Sequence, residues 1–293
     1  MEELPEEILH DILSRIDKGT DRINVALTCR RFLSAIHRQL PKANAICVQF
    51  ADSKCQTSVK GGDSAALITV CQCECHGCPQ MLQCVLPILT SNVNSFTLED
   101  ELWKESLSDG SMHALLEGCR DAPLSSLSFD NVDFSAVRPW TLALIASFNR
   151  LEQVHLLSCK IPEGLLLRSL SSSLQSLRSL SVTDSPLVSD KLCSALAKSA
   201  PNLEEINLRR CKQVSAGSVV TLLEYAHRRR AQQLTLFMQE TAFDSHHLER
   251  CMSSSLMPNG REWAFTRMKI DMGYSTPAIL LTHPSIKTLL IFD

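Results

Sequence analysis

The stretch Leu124-x-x-Leu127-x-Phe129-x-x-Val132 returns as Leu151-x-x-Val154-x-Leu156-x-x-Cys159, as Leu177-x-x-Leu180-x-Val182-x-x-Ser185 and as Leu203-x-x-Ile206-x-Leu208-x-x-Cys211. The second positions, 127, 154, 180 and 206, are separated by 27, 26 and 26 residues. A constant period of this size marks one supersecondary unit repeated along the chain. Alternating apolar residues at the start of each copy predict a short strand. Amphipathic stretches at 163–170, 190–200 and 216–226 predict a returning helix. Such a unit buries its apolar face only against its neighbours, so an α/β stack of parallel strands is expected.

Fainter copies extend both ways. Ile46-x-Val48, Ile68-x-Val70 and Phe96-x-Leu98 lie upstream, and Leu234-x-Leu236, Met268-x-Ile270 and Leu289-x-Ile291 lie downstream. The intervals from 46 to 68 and from 234 to 268 depart from the central period, which calls for irregular insertions there. Residues 251–276, with Ser253-Ser254-Ser255 and Pro258-Asn259-Gly260, read as the largest irregular stretch. The apolar run at 289–292 stands where a solenoid is expected to place a polar terminal cap.

The spacing L-x-x-L-x-L-x-x-N/C resembles a leucine-rich repeat. Leu187-Val188-Ser189-Asp190-Lys191-Leu192-Cys193 with Ala200-Pro201-Asn202-Leu203 is similar to the cysteine-containing class. The resemblance implies a horseshoe solenoid over residues 45–293, clearest over 124–237, with parallel strands on its concave face. It also puts Cys159 and Cys211 inside the turns, bonded to buried backbone. Period-two alternation then sends Gln153, His155 and Leu157, Ser181 and Thr183, Glu205, Asn207 and Arg209, and Thr235 and Phe237 to that face. Ser126, Ser128, Asp130, Ser179 and Gln233 fall in the same rows. By analogy these residues are candidates for binding a protein substrate, against the plainer reading of a solvated sheet face.

The N-terminal segment has its own pattern. Pro5 stands at a helix start, Glu6 and Glu7 fill the first turn, and Ile8, Leu9, Ile12, Leu13 and Ile16 follow at helical spacing. Leu4-Pro5-Glu6-Glu7-Ile8-Leu9, then Ile12-Leu13-Ser14-Arg15-Ile16-Asp17, then Leu27-Thr28-Cys29-Arg30-Arg31-Phe32, resembles an F-box over residues 2–38. That likeness implies three short helices that dock on a Skp-type adaptor and through it on a cullin. Leu4, Pro5, Ile8, Leu9, Ile12 and Leu13 would supply the adaptor-facing surface, and Leu27 and Phe32 would complete the motif. The alternative is a helical cap on the domain behind it.

Composition excludes several classes. Charged residues are 21% and aromatics 5%, with a formal net charge of -3, which suits neither a basic nucleic-acid binder nor a stacking platform. No apolar run approaches the roughly 20 residues of a membrane span, and Met1-Glu2-Glu3 is acidic where a signal peptide is basic. A cytoplasmic or nuclear chain with free thiols is expected from its 13 cysteines. Cys71, Cys73, Cys75 and Cys78 are a candidate metal set, since Cys75-x-x-Cys78 has zinc-ligand spacing, but strand alternation would equally bury Cys71 and Cys73 as small apolar groups. No other cofactor is indicated. His227-Arg228-Arg229-Arg230 reads as cations at a helix C-terminus. Nucleotide-binding and hydrolase motifs are absent, so a non-catalytic subunit is expected. The reading is a substrate-recognition subunit of an SCF-type ubiquitin ligase. The alternative is a leucine-rich-repeat scaffold or ligand sensor without ligase function, and a third is a metal-dependent protein built on Cys71 to Cys78.

Overall fold

The apolar triplets at 46–48, 68–70 and 96–98 lie in strands in the computed structural model, which describes residues 5–15, 25, 44–51, 58–61, 65–71, 82–83, 86–87, 92–99, 108–253, 263–271 and 275–292. The chain folds as two units, Met1–Ser126 with Ala136–Leu144, and Leu127–Ser135 with Ile145–Asp293. Each is mixed α/β with an open sheet.

The first unit holds α1 (Glu6–Ser14), β1 (Ala45–Ala51), β2 (Ser58–Gly61), β3 (Ala65–Cys71), β4 (Ser95–Glu99), α2 (Asp109–Gly118) and α3 (Pro139–Leu142). Its strands run in the order β4-β1-β3-β2. Strand β1 is parallel to both neighbours, while β2 returns antiparallel on β3. Ile46, Val48, Ile68, Phe96 and Leu98, the alternate residues of these strands, are buried. Ser108 caps α2, its hydroxyl accepting from the Ser111 N–H at 3.2 Å. Gly118 ends that helix against Leu86, where a Cβ would come within 2.6 Å of the leucine Cβ. Only glycine permits that approach.

The second unit repeats one strand and one helix. Its parts are β5 (Ser126–Asp130), β6 (Gln153–Leu157), α4 (Glu163–Ser169), β7 (Ser179–Thr183), α5 (Asp190–Ser199), β8 (Glu205–Asn207), α6 (Ala216–Glu224), β9 (Gln233–Phe237) and α7 (Ser245–Ser253). Strands β6 to β9 are parallel neighbours in chain order, with β5 beside β6. The inward residues of each, such as Leu180 and Val182 or Leu234 and Leu236, are buried.

After each of these strands the chain turns through one left-handed residue: Asn131, Ser158, Asp184, Arg210 and Glu240, with φ between 53° and 61°. None is glycine, so each turn carries a small backbone penalty that the repeating ladder must offset. The ladder is visible in the bonds. The N–H of Asn131 donates to the Leu157 carbonyl, that of Ser158 to Thr183, that of Asp184 to Arg209 and that of Arg210 to Gln239, all at 2.9–3.0 Å. The Cys159 thiol donates to the Phe129 carbonyl at 3.3 Å, and the Cys211 thiol to Val182 at 3.1 Å. At the intervening copy the Ser185 hydroxyl donates to the Cys159 carbonyl at 2.9 Å.

A second ladder links the helices. Glu163 Oε1 accepts from the backbone N–H of Ser189 at 3.0 Å and of Leu192 at 2.9 Å, capping α5 from the copy before it. Asp190 does the same for α6, taking the Ser215 N–H at 2.8 Å on Oδ1 and the Ser215 hydroxyl at 2.6 Å on Oδ2. A carboxylate from one repeat thus satisfies the orphan donors of the next helix.

Beyond α7 the pattern changes. Strands β10 (Ala264–Asp271), β11 (Ser275–His283) and β12 (Ile286–Ile291) form an antiparallel meander, and β12 then joins β9 in parallel. The apolar triplets at 268–270 and 289–291 are therefore strands, but the first of them does not continue the parallel stack. Only three residues separate β10 from β11 and two separate β11 from β12, too few for the crossover a parallel neighbour requires. Within the stretch 251–276 expected to be irregular, residues 264–271 form β10, and residues 254–262 and 272–274 lie outside the described residues.

Candidate functional site

Two surfaces carry the candidate residues. On the first unit, Pro5 precedes α1, and its carbonyl accepts from the N–H groups of Ile8 at 3.1 Å and Leu9 at 3.2 Å, which starts the helix. Ile8 and Ile12 lie one turn apart, 46% and 41% exposed. Leu9, expected beside them on the outward face, is only 2% exposed and packs inward. The reason is rotation, since adjacent helical residues are about 100° apart and cannot all share one stripe. Pro5 is exposed. Leu13 lies within α1, but its side chain, like Leu4, Leu27 and Phe32 entirely, is outside the described residues. Asp11 and Arg15 close a 2.8 Å ion pair along the solvent side of the helix.

On the second unit the outward residues of β6 to β9 form rows across the sheet. Pairing sets His155 beside Ser181, Ser181 beside Asn207 and Asn207 beside Phe237. The next row is Leu157, Thr183, Arg209 and Gln239, at the C-terminal ends of the strands. A depression of about 550 Å³ lies over these two rows and is bounded by Ser128, Asp130, Asp184, Arg210 and Glu240. A second, of about 880 Å³, lies at the opposite strand ends over Gln153, His155, Ser179, Glu205, Gln233 and Thr235, with Arg178, Glu204 and Arg230 on its rim. The structure thus brings all ten candidate substrate residues but one onto the two depressions. Phe237 sits against them, stacked under Arg209 with the guanidinium carbon 5.0 Å from the ring centre.

Exposure along this face is uneven. Gln153 and Leu157 are exposed, while His155, Ser181, Glu205, Asn207, Arg209, Thr235 and Phe237 are half-buried. Thr183, expected on the surface, is 7% exposed. It is the last residue of β7 before the left-handed turn at Asp184, and its hydroxyl has no hydrogen-bond partner among the described residues. Burial favours the neutral imidazole and holds His155 below the usual histidine range, against Glu205, whose negative charge favours the protonated ring.

Charges at the turns pair across copies. Arg210 reaches Asp184 at 3.3 Å and Glu240 at 3.1 Å. Arg178 reaches Glu204 at 2.6 Å and Glu152 at 3.6 Å. Arg209 is different. Its Nε donates to Gln239 Oε1 at 2.8 Å, and it has no ion-pair partner among the described residues. Gln239, Asp184, Arg210 and Glu240 were not candidates on sequence, yet all four line the same depression. Their common signal is position at or beside the residue that follows each strand.

Of the cysteine candidates, Cys71 ends β3 and Cys73, Cys75 and Cys78 lie outside the described residues. Among the described residues no group of three or more His, Cys, Asp or Glu is placed to hold a metal ion. Nor is any described helix long and apolar enough to cross a membrane. The arginine run also departs from expectation. Arg228 stacks on Tyr225 at 4.6 Å, but Arg229 is 7% exposed, turned into the protein.

Comparison with known proteins bears on the first surface. The F-box-like family model matches residues 1–40. None of the curated proteins compared matches the chain. An F-box-like domain therefore forms the N-terminus.

Proposed function

We propose that this chain is the non-catalytic substrate-recognition subunit of an SCF-type ubiquitin ligase, acting in the cytoplasm or nucleus. The F-box-like segment holds a Skp-type adaptor and through it a cullin. The remainder is a leucine-rich-repeat solenoid whose strand face holds a protein substrate. The chain performs no chemistry. Tethering a substrate near a charged conjugating enzyme raises its effective concentration, and that proximity is the whole contribution to rate.

The observation that carries this reading is the F-box-like match at residues 1–40 together with the exposed pair Ile8 and Ile12 on its first helix. Each of these two aliphatic groups on one stripe is already about half covered, so a partner that covers the rest contributes about half the value of full burial, roughly 1 kcal/mol each. Supporting the solenoid are the recurring strand, left-handed turn and helix, and the thiols bonded to buried carbonyls. The test is co-purification of the full chain with a Skp-type adaptor, beside Ile8→Ala/Ile12→Ala. Because both side chains are exposed, the variant keeps its fold by circular dichroism and is expected to lose the stoichiometric complex. Failure of the unsubstituted chain to bind the adaptor overturns the ligase reading.

A further inference from the structure

We infer that Arg209 is a carboxylate anchor, taking an acidic side chain or a chain terminus of a bound peptide; this deepens, and rests on, the reading of the strand face as the substrate surface. The guanidinium is held at two points, by stacking on Phe237 at 5.0 Å and by its Nε bond to Gln239 at 2.8 Å. Its two terminal nitrogens have no partner among the described residues. That pair forms the fork that matches the two oxygens of a carboxylate. The side chain is already fixed, so little rotamer freedom is lost when the ligand arrives.

The neighbouring groups ask for the same ligand. Thr183, the last residue of β7, and Gln239, two residues past β9, flank Arg209 in its row, and each is 7% exposed. Thr183 Oγ1 and Gln239 Nε2 are buried without hydrogen-bond partners among the described residues, and both residues line the depression over Arg209. Buried polar groups of this kind are satisfied in most proteins, so an oxygen-rich group seated here would meet that demand once these side chains turn toward it. The next arginine offers nothing further, because Arg210 is engaged by Asp184 and Glu240. One uncommitted guanidinium, with Asp130, Asp184 and Glu240 on the rim, suits a singly charged carboxylate and opposes a phosphate dianion.

The test uses the full chain and four pools of fluorescent decapeptides read by anisotropy. One pool is neutral and C-terminally amidated, one adds a central Glu, one is neutral with a free C-terminal carboxylate, and one adds a central phosphoserine. One carboxylate pool is expected to bind about tenfold tighter than the neutral pool, and which one names the source. Arg209→Gln abolishes that preference, and Arg209→Lys, which keeps charge without the fork, retains part of it with the same circular dichroism. Equal binding of all pools, a preference that survives Arg209→Gln, or tightest binding of phosphoserine overturns the anchor. If all pools bind equally and Asn207→Arg weakens all of them, the face binds peptide and only the anchor is wrong. If no pool binds while the adaptor still co-purifies, the substrate-face reading falls with it.

Discussion

Replacing Asp190 by alanine tests the claim that carboxylates lock successive repeats together. Asp190 Oδ1 accepts from the Ser215 N–H at 2.8 Å and the Ser218 hydroxyl at 2.5 Å, and Oδ2 from the Ser215 hydroxyl at 2.6 Å. Ser218 is fully buried. A hydrogen bond to a charged group contributes about 1.5–3 kcal/mol, and a buried donor left unmet costs about 1–3 kcal/mol. Asp190 also sits in the first turn of α5, worth roughly 0.5 kcal/mol against the helix dipole. Relaxation of the Ser215 hydroxyl toward solvent recovers part, so the net loss expected is about 3–4 kcal/mol. At about 2–4 °C per kcal/mol for a domain of this size, Tm falls by roughly 6–16 °C. The substitution Asp190→Asn keeps one acceptor and should lose about half as much. The control is Glu204→Ala, which removes a surface ion pair to Arg178 whose partners are half exposed and which is worth about 0–1 kcal/mol. Thermal unfolding reads the totals, and hydrogen exchange should show the amides at the start of α6 losing protection ahead of those of β7. A loss under about 1 kcal/mol, or one no larger than the control, refutes the lock.

Among the described residues Arg229 is buried with Nε and Nη2 unpartnered and only a 3.4 Å bond from Nη1 to the Ala200 carbonyl, and burial pushes its pKa down to about 10. Arg229→Met should therefore raise stability by about 1–2 kcal/mol in denaturant unfolding, and a destabilised variant would show that the cation is needed where it sits. Burial lifts the thiols of Cys119, Cys159 and Cys193 to about 12 and that of Cys211 to about 11, so iodoacetamide at about pH 8 should leave all four unmodified in the native chain and label them after unfolding, as peptide mapping would show. His155 titrates below the unfolded histidine value because burial outweighs Glu205. The unfolded chain therefore binds its proton first, and stability falls as pH drops from about 6.5 toward the folded value. His155→Gln should remove that part of the slope, and an NMR midpoint at or above about 6.5 would contradict it.

Period and alternation in the sequence determined where the strands of the second unit lie, which residues of each face inward, and that helices return between them. They did so because a repeat buries its apolar face only against its own copies, so the apolar spacing must recur. The N-terminal motif was equally local, readable from Pro5 and the isoleucines of one helical turn. Local spacing could not decide which way the last strands run: the triplets at 268–270 and 289–291 look alike, and direction depends on connections too short for a crossover. It also placed Leu9 with Ile8 and Thr183 with Ser181, since a stripe or an alternation names a side but not the depth to which neighbours cover it. The left-handed residues Asn131, Ser158, Asp184, Arg210 and Glu240 share no residue type, and the bonds from Glu163 and Asp190 reach the following repeat. Arg209 became the uncommitted cation, and Arg210 the committed one, only when β7, β8 and β9 were laid side by side. Backbone order along one strand is a property of the chain, whereas which charge meets which partner belongs to the distance between strands, and that distance exists only in the folded protein.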